Sequence, residues 1–143
     1  MSLFDANLIE IKLYYTFIEK GSSRILRVLK DDEAEKMLQN EEEKDKVEAL
    51  TTKWSVMSWS EQNASVNYAY SKTNEITGEK IFDHVAYRDG IIKTCLREWD
   101  ISVNGQPVPI TADSINRLPG EVVMGLFQKY EGVLDYSEDE LKN

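Results

Sequence analysis

Apolar and polar residues alternate at the start of the chain. Over residues 8–18, LIEIKLYYTFI, Ile9, Ile11, Leu13, Tyr15 and Phe17 fall on one side of an extended backbone, with Glu10, Lys12, Tyr14 and Thr16 on the other. A repeat of two is that of a half-buried strand. Gly21-Ser22-Ser23 supplies a turn, and RILRVLK over 24–30 reads as the returning strand. Ile25, Val28 and Leu29 also sit at helical spacing, but the tight turn before them favours the strand. A second alternation, Leu50, Thr52, Trp54 and Val56 against Thr51, Lys53 and Ser55, predicts a third strand at about 48–57.

Between these strands the pattern thins. Residues 31–46 carry Ala34, Met37 and Leu38 in a background of Asp, Glu and Lys, which predicts a solvated helix beginning at the acids Asp31-Asp32. Ser58 and Glu61 are spaced as a capping box and open a helix to about Ser71, with Trp59, Ala64, Val66, Ala69 and Tyr70 on it. Residues 72–80, KTNEITGEK, read as an exposed loop. From about Asp83 to Trp99, Tyr87, Ile91, Ile92, Cys95, Leu96 and Trp99 recur every three to four residues, the stripe of a helix that buries one face.

Beyond Trp99 the texture changes. Asn104-Gly105 is a two-residue turn signal. Pro107 and Pro109 forbid helix over 106–110 and oppose a central strand. Thr111 caps a short helix over 112–117, and Pro119 opens another over about 119–132 with Val122, Val123, Leu126, Phe127 and Tyr130 as its stripe. Ser137 and Glu140 form a last possible capping box in an end expected to fray. The expected fold is α+β, a small N-terminal antiparallel sheet packed against three or four helices. One domain over 1–143 is expected: a strand-rich part to 57 with the acidic helix, a helical part over 58–132, and the tail 133–143.

Composition changes this picture in one respect. With 143 residues the chain can bury a core, but its formal net charge of −9 opposes non-specific binding to DNA or to anionic membranes. No membrane or nucleic-acid partner is expected. One cysteine allows no internal disulfide, and no basic, apolar and small-residue succession marks a secretory signal, so a reducing compartment is expected. No apolar run approaches the ~20 residues of a membrane helix.

The residues that carry chemistry are sparse, and no enzyme, cofactor or metal is expected. His84 is the one histidine and reads as a helix-surface residue. Cys95, between Ile92 and Leu96, reads as core, because a reactive thiolate needs an electropositive and partly exposed setting. The seven glycines form no phosphate-cradling loop, and Glu41-Glu42-Glu43-Lys44-Asp45 lacks the alternating ligands and central glycine of a calcium loop. Asn63-Ala64-Ser65 is a glycosylation sequon on a predicted helix and is discounted. A pair of catalytic carboxylates remains open as an alternative, yet nothing singles out two of the 26 acids.

What remains is a set of candidate contact residues. Trp54, Trp59 and Trp99 are core anchors on the simplest reading, and Trp59, at the start of a capped helix, is the best candidate for an interface anchor. Pro107 and Pro109 stiffen an extended stretch that docks either on its own domain or on a neighbour. Glu41, Glu42 and Glu43 lie in a tract, 31–48, with nine acids against three lysines; it is a solvated face or a docking surface for a basic partner. DNA mimicry by a host-directed inhibitor is the alternative, weakened by Lys36, Lys44 and Lys46 interleaved among the acids.

Four blocks also carry a resemblance. WSVMSWSEQN (54–63), CLREWDI (95–101), NGQPVPIT (104–111) and LPGEV (118–122) together resemble small proteins of tailed-bacteriophage morphogenesis, among them tail assembly chaperones and minor tail or baseplate proteins. The resemblance spans about residues 50–130. It implies a non-enzymatic role in building the tail, through contacts with tape-measure, tube or baseplate subunits, in the bacterial host cytoplasm or in the virion. A homo-oligomer is compatible with it. The resemblance defines no binding residues.

Overall fold

The computed structural model describes residues 3–4 and 8–135. The first alternating run forms strand β1 (Ile9–Lys20), which turns at Gly21 (φ 62°) into β2 (Ser23–Leu29). Helix α1 (Asp31–Leu38) and a single 3₁₀ turn (Lys44–Lys46) lead to β3 (Glu48–Trp54). Helix α2 (Trp59–Ala69), a two-stranded hairpin of β4 (Lys72–Thr73) and β5 (Lys80–Ile81), and α3 (His84–Cys95) follow. Then come β6 (Leu96–Trp99), a second small hairpin of β7 (Ser102–Val103) and β8 (Gln106–Pro107), α4 (Ala112–Asn116) and α5 (Gly120–Leu134).

The main sheet is antiparallel in the order β2-β1-β3-β6. Its register puts Ile9, Ile11 and Leu13 opposite Trp54, Thr52 and Leu50, so the inward sides of both alternations coincide. Against this face pack Ile92 and Cys95 of α3, Ile115 of α4, and Val122, Leu126, Phe127 and Tyr130 of α5. The fold is therefore α+β, a small N-terminal sheet covered by helices. Trp54 is the largest side chain in the core. Its ring stacks on Tyr130 with centroids 4.7 Å apart. Its indole N–H donates to Thr52 Oγ1 at 2.8 Å, and that hydroxyl donates to the Ile11 carbonyl at 2.8 Å. A buried tryptophan and a buried threonine thus satisfy each other and tie β3 to β1. On the other side of β1, Thr16 donates to the Lys46 carbonyl at 2.8 Å beneath the α1–β3 connection, and Ala34 of α1 is fully buried.

α5 approaches β1 closely because it presents glycine there. A Cβ on Gly125 would stand 3.0 Å from Leu13 Cδ1 and 3.6 Å from Val28 Cγ1. Gly132, two turns further on, has nothing within 4 Å of that position. Gly132→Ala is therefore expected to stabilise the fold by about 0.5–1 kcal/mol, through lower unfolded-chain entropy and better helix propensity. Urea denaturation checks it.

Four expectations need correction. The acidic helix does not run over 31–46; it stops at Leu38. From Gln39 to Lys46 the sequence offers no apolar residue to bury, and acids at 41–43 would sit against the negative end of the helix dipole. Asn40 instead turns the chain, accepting from the Glu42 amide at 2.9 Å. The helix expected over 83–99 ends at Cys95, and Leu96–Trp99 joins β3 as an edge strand. The register shifts between Lys53 and Trp54, with Trp99, Glu98 and Leu96 opposite Thr52, Lys53 and Trp54. Arg97 is the extra residue of a bulge. That bulge lets two residues three apart, Leu96 and Trp99, face inward from a strand, which is the spacing that reads as helix. The third strand ends at Trp54 rather than 57, and Val56 is half exposed. The loop over 72–80 contains the β4–β5 pairing, closed by Asn74, whose side chain accepts from the Ile76 and Thr77 amides. The capping box at Ser137 and Glu140 lies outside the described residues. Among the described residues no helix is long and apolar enough to cross a membrane.

Candidate interaction surface

The sequence-predicted contact residues fall on three parts of the molecule. Trp59 begins α2, one residue after its cap Ser58, and is 77% exposed. Glu41, Glu42 and Glu43 lie in the turn between α1 and the 3₁₀ segment, with Glu41 paired to Lys44 at 2.8 Å. Pro107 ends β8 and Pro109 follows it. No hydrogen bond or ion pair joins these three parts among the described residues. Of the other tryptophans, Trp54 is buried and Trp99 half-buried.

The proline segment docks on its own chain. Asn104 (φ 51°) and Gly105 (φ 78°) turn β7 into β8. The Trp99 indole N–H then donates to the Val108 carbonyl at 2.6 Å, while the Val108 amide donates to Ile101 at 2.9 Å. Ser114, in the capping box with Thr111 at the start of α4, also donates to the Pro109 carbonyl at 2.9 Å.

A second junction lies at the other end of β6. The Ser55 amide donates to the Cys95 carbonyl at 2.8 Å, and the Tyr130 hydroxyl donates to the Ser55 carbonyl at 2.7 Å. Arg97, freed from the ladder by its bulge, reaches Ser55 Oγ at 3.0 Å and Glu61 at 3.1 Å. Glu61 in turn accepts from the Ser58 amide and completes the α2 capping box. Those bonds, led by the Ser58 amide, hold the Glu61 carboxyl below the usual glutamate range. Burial is the first cause that pushes both the Cys95 thiol and the Tyr130 hydroxyl up. The other displaced carboxyl, Asp83, caps α3 by accepting from Val85 and Ala86 and pairs with Lys72 at 2.9 Å. Its pKa is lowered, first by Lys72 and then by the Ala86 amide. Both shifts run opposite to what a general acid needs. His84 is exposed, its ring edge against Phe82. Among the described residues no three metal-ligating side chains gather in one place.

A carboxyl whose native pKa is lowered stabilises the fold above its unfolded value, and that contribution is lost as pH falls through the native one. Asp83→Ala is thus expected to lower the melting temperature at neutral pH. The gap from the parent should close as pH falls below the ordinary aspartate value of about 3.9. Melting curves across an acid pH series read this directly.

Beside the Ser55 junction runs a groove of about 430 Å³ between the β3–α2 connection, α3 and α5. Val56, Met57, Tyr87, Ile91, Phe127 and Leu134 give it an apolar lining. Gln62, Glu131 and Asp135 are its polar members, and Tyr130 also lines it. Sequence reading missed this groove. Phe127, Glu131 and Leu134 share one face of α5, but that face becomes visible only when the stripe is followed past residue 132.

Comparison with family models, with curated proteins and with solved structures finds no match to this chain.

Proposed function

We propose that this chain is a non-enzymatic assembly or structural protein of a bacteriophage tail, chaperone-like, that works through protein–protein contacts. One observation supports the reading above the rest. The four blocks of the resemblance, scattered over residues 54–122, are joined around one strand pair. The first and second meet through Ser55–Cys95, Arg97–Ser55 and Arg97–Glu61. The second and third meet through Trp99–Val108. The third runs through the Thr111 cap into α4, which leads to the fourth, the start of α5. The first three blocks are thus joined by hydrogen bonds, and the fourth follows them along the chain through α4.

The same blocks present side chains suited to contact. Trp59 stands out from them at 77% exposure and Val56 at 50%. A large exposed aromatic beside an apolar groove is the usual make-up of a binding hot spot. The acidic tract is the weaker candidate surface. Its acids are divided between a short helix and a turn, with Lys44 already paired to Glu41, which does not favour an ordered imitation of DNA phosphates.

Affinity capture with the tagged chain from phage-infected or prophage-induced cells tests the proposal. Tape-measure, tube or baseplate subunits are the expected catch. Recovery of a nuclease or polymerase without tail proteins would replace this reading with that of an acidic inhibitor.

A further inference from the structure

We infer that the groove between the β3–α2 connection, α3 and α5 is a docking site for an amphipathic helix of another protein, one that carries Lys or Arg beside its apolar stripe. The inference rests on the proposed protein-contact role and assigns it a place and a partner chemistry.

The lining argues for apolar anchors. Val56, Met57, Ile91 and Leu134 offer aliphatic surface, and Phe127 and Tyr87 offer rings. Its base is rigid, because Tyr130 is stacked on Trp54 and bonded to the Ser55 carbonyl. A preformed base spares an incoming side chain the cost of ordering it. The walls are helices and a connection, with no open strand edge among the lining residues. An extended peptide would find no ladder to join, whereas a helix can lay an i, i+3, i+4, i+7 stripe along such a groove.

The rim argues for positive charge. Among the described residues its charged members are Glu131 and Asp135, and no cation lines it. Neither carboxylate has an ion pair or hydrogen bond among the described residues. Both stand at the C-terminal end of α5, where the helix dipole is negative and a basic residue is the favourable choice; the last turn holds none. Among the described residues, two acids thus stand against local electrostatics beside an apolar opening. A cation brought by a partner would relieve both carboxylates and the open end of the helix. Exposed Trp59 lies one helical turn before Gln62 of the groove wall.

The test uses the full chain and two labelled synthetic helices of equal length, one of Leu and Lys in an amphipathic pattern and one with Glu in place of Lys. Fluorescence anisotropy at near-physiological salt is the readout. The Leu/Lys helix should bind at least about tenfold more tightly than the Leu/Glu helix. Glu131→Lys with Asp135→Lys should weaken it by about tenfold or more, and both changes favour α5, so loss of fold is not the cause. Val56→Asp should weaken it as well, although it adds negative charge to the protein. A control reversal outside the groove, Glu75→Lys with Glu79→Lys, should change affinity by less than about threefold, since neither residue lines the groove and exposed charges are screened beyond ~8 Å. Equal affinity for the two helices, no effect of Val56→Asp, or an equal loss in the control variant would overturn the inference. If Val56→Asp still captures tail proteins from cells, the groove assignment fails while the tail-protein reading stands. If the parent binds the Leu/Lys helix in the groove but captures no tail protein, the reverse holds.

Discussion

Trp54→Ala is expected to cost about 3–5 kcal/mol of folding stability, the upper range for a truncated core residue. The side chain is fully buried, and its loss removes three things together. The stack with Tyr130 at 4.7 Å goes, and with it the packing that holds α5 over the sheet. The hydrogen bond to Thr52 Oγ1 goes. A cavity opens at the C-terminal end of β3, bordered by Ile9 across the strand pair and by Leu96 across the bulge. Trp54→Phe separates the contributions. It keeps an aromatic ring near Tyr130 and loses the indole N–H, while Thr52 still donates to the Ile11 carbonyl. About 1–2 kcal/mol is expected for it. Urea denaturation monitored by circular dichroism measures both. Near-equal costs would mean that the hydrogen bond outweighs the packing.

Leu13→Ala is expected to cost about 2–5 kcal/mol, and Gly125→Val about 1–3 kcal/mol by overpacking. These changes meet at one contact. Leu13 is 1% exposed, and a Cβ on Gly125 would stand 3.0 Å from its Cδ1. Leu13 Cδ1 must give way to the new Cβ, and the two methyl groups of a valine at 125 press further on Leu13 and Val28. In the double variant the alanine vacates the space that the valine fills. The combined loss should therefore be smaller than the sum by about 0.5–3 kcal/mol, the coupling expected of residues in direct contact. Additive losses would show that α5 and β1 adjust independently.

These two sites also show what the sequence could reveal. Ile9, Ile11 and Leu13 alternate cleanly because one side of β1 faces a core, and the same holds for Leu50, Thr52 and Trp54. Period two recorded burial as far as Leu13 and Trp54 and failed beyond them: Thr16, on the expected polar side, is buried under the α1–β3 connection, whereas Phe17 and Val56, on the expected apolar sides, are exposed. The caps at Ser58 and Thr111 were legible because each needs only local hydrogen bonds. Leu96 and Trp99 misled, because a bulge turns strand geometry into three-residue spacing, and only the long-range pairing with β3 reveals it. The acidic segment misled for the opposite reason: helix propensity without a packed face did not extend α1 past Leu38. The groove was illegible as a site because its members come from three elements, and most read singly as core stripe. Trp59 stood out in sequence, and its exposure is consistent with a contact role.

The proposed tail role places the coding sequence in a phage or prophage genome, and the measurement that tests it most directly is deletion of that sequence followed by electron microscopy of the particles produced. Heads without tails, or tails that are short or misassembled, are the expected result, with rescue by the parent chain supplied in trans. Particles with tails of normal length and number would contradict that role.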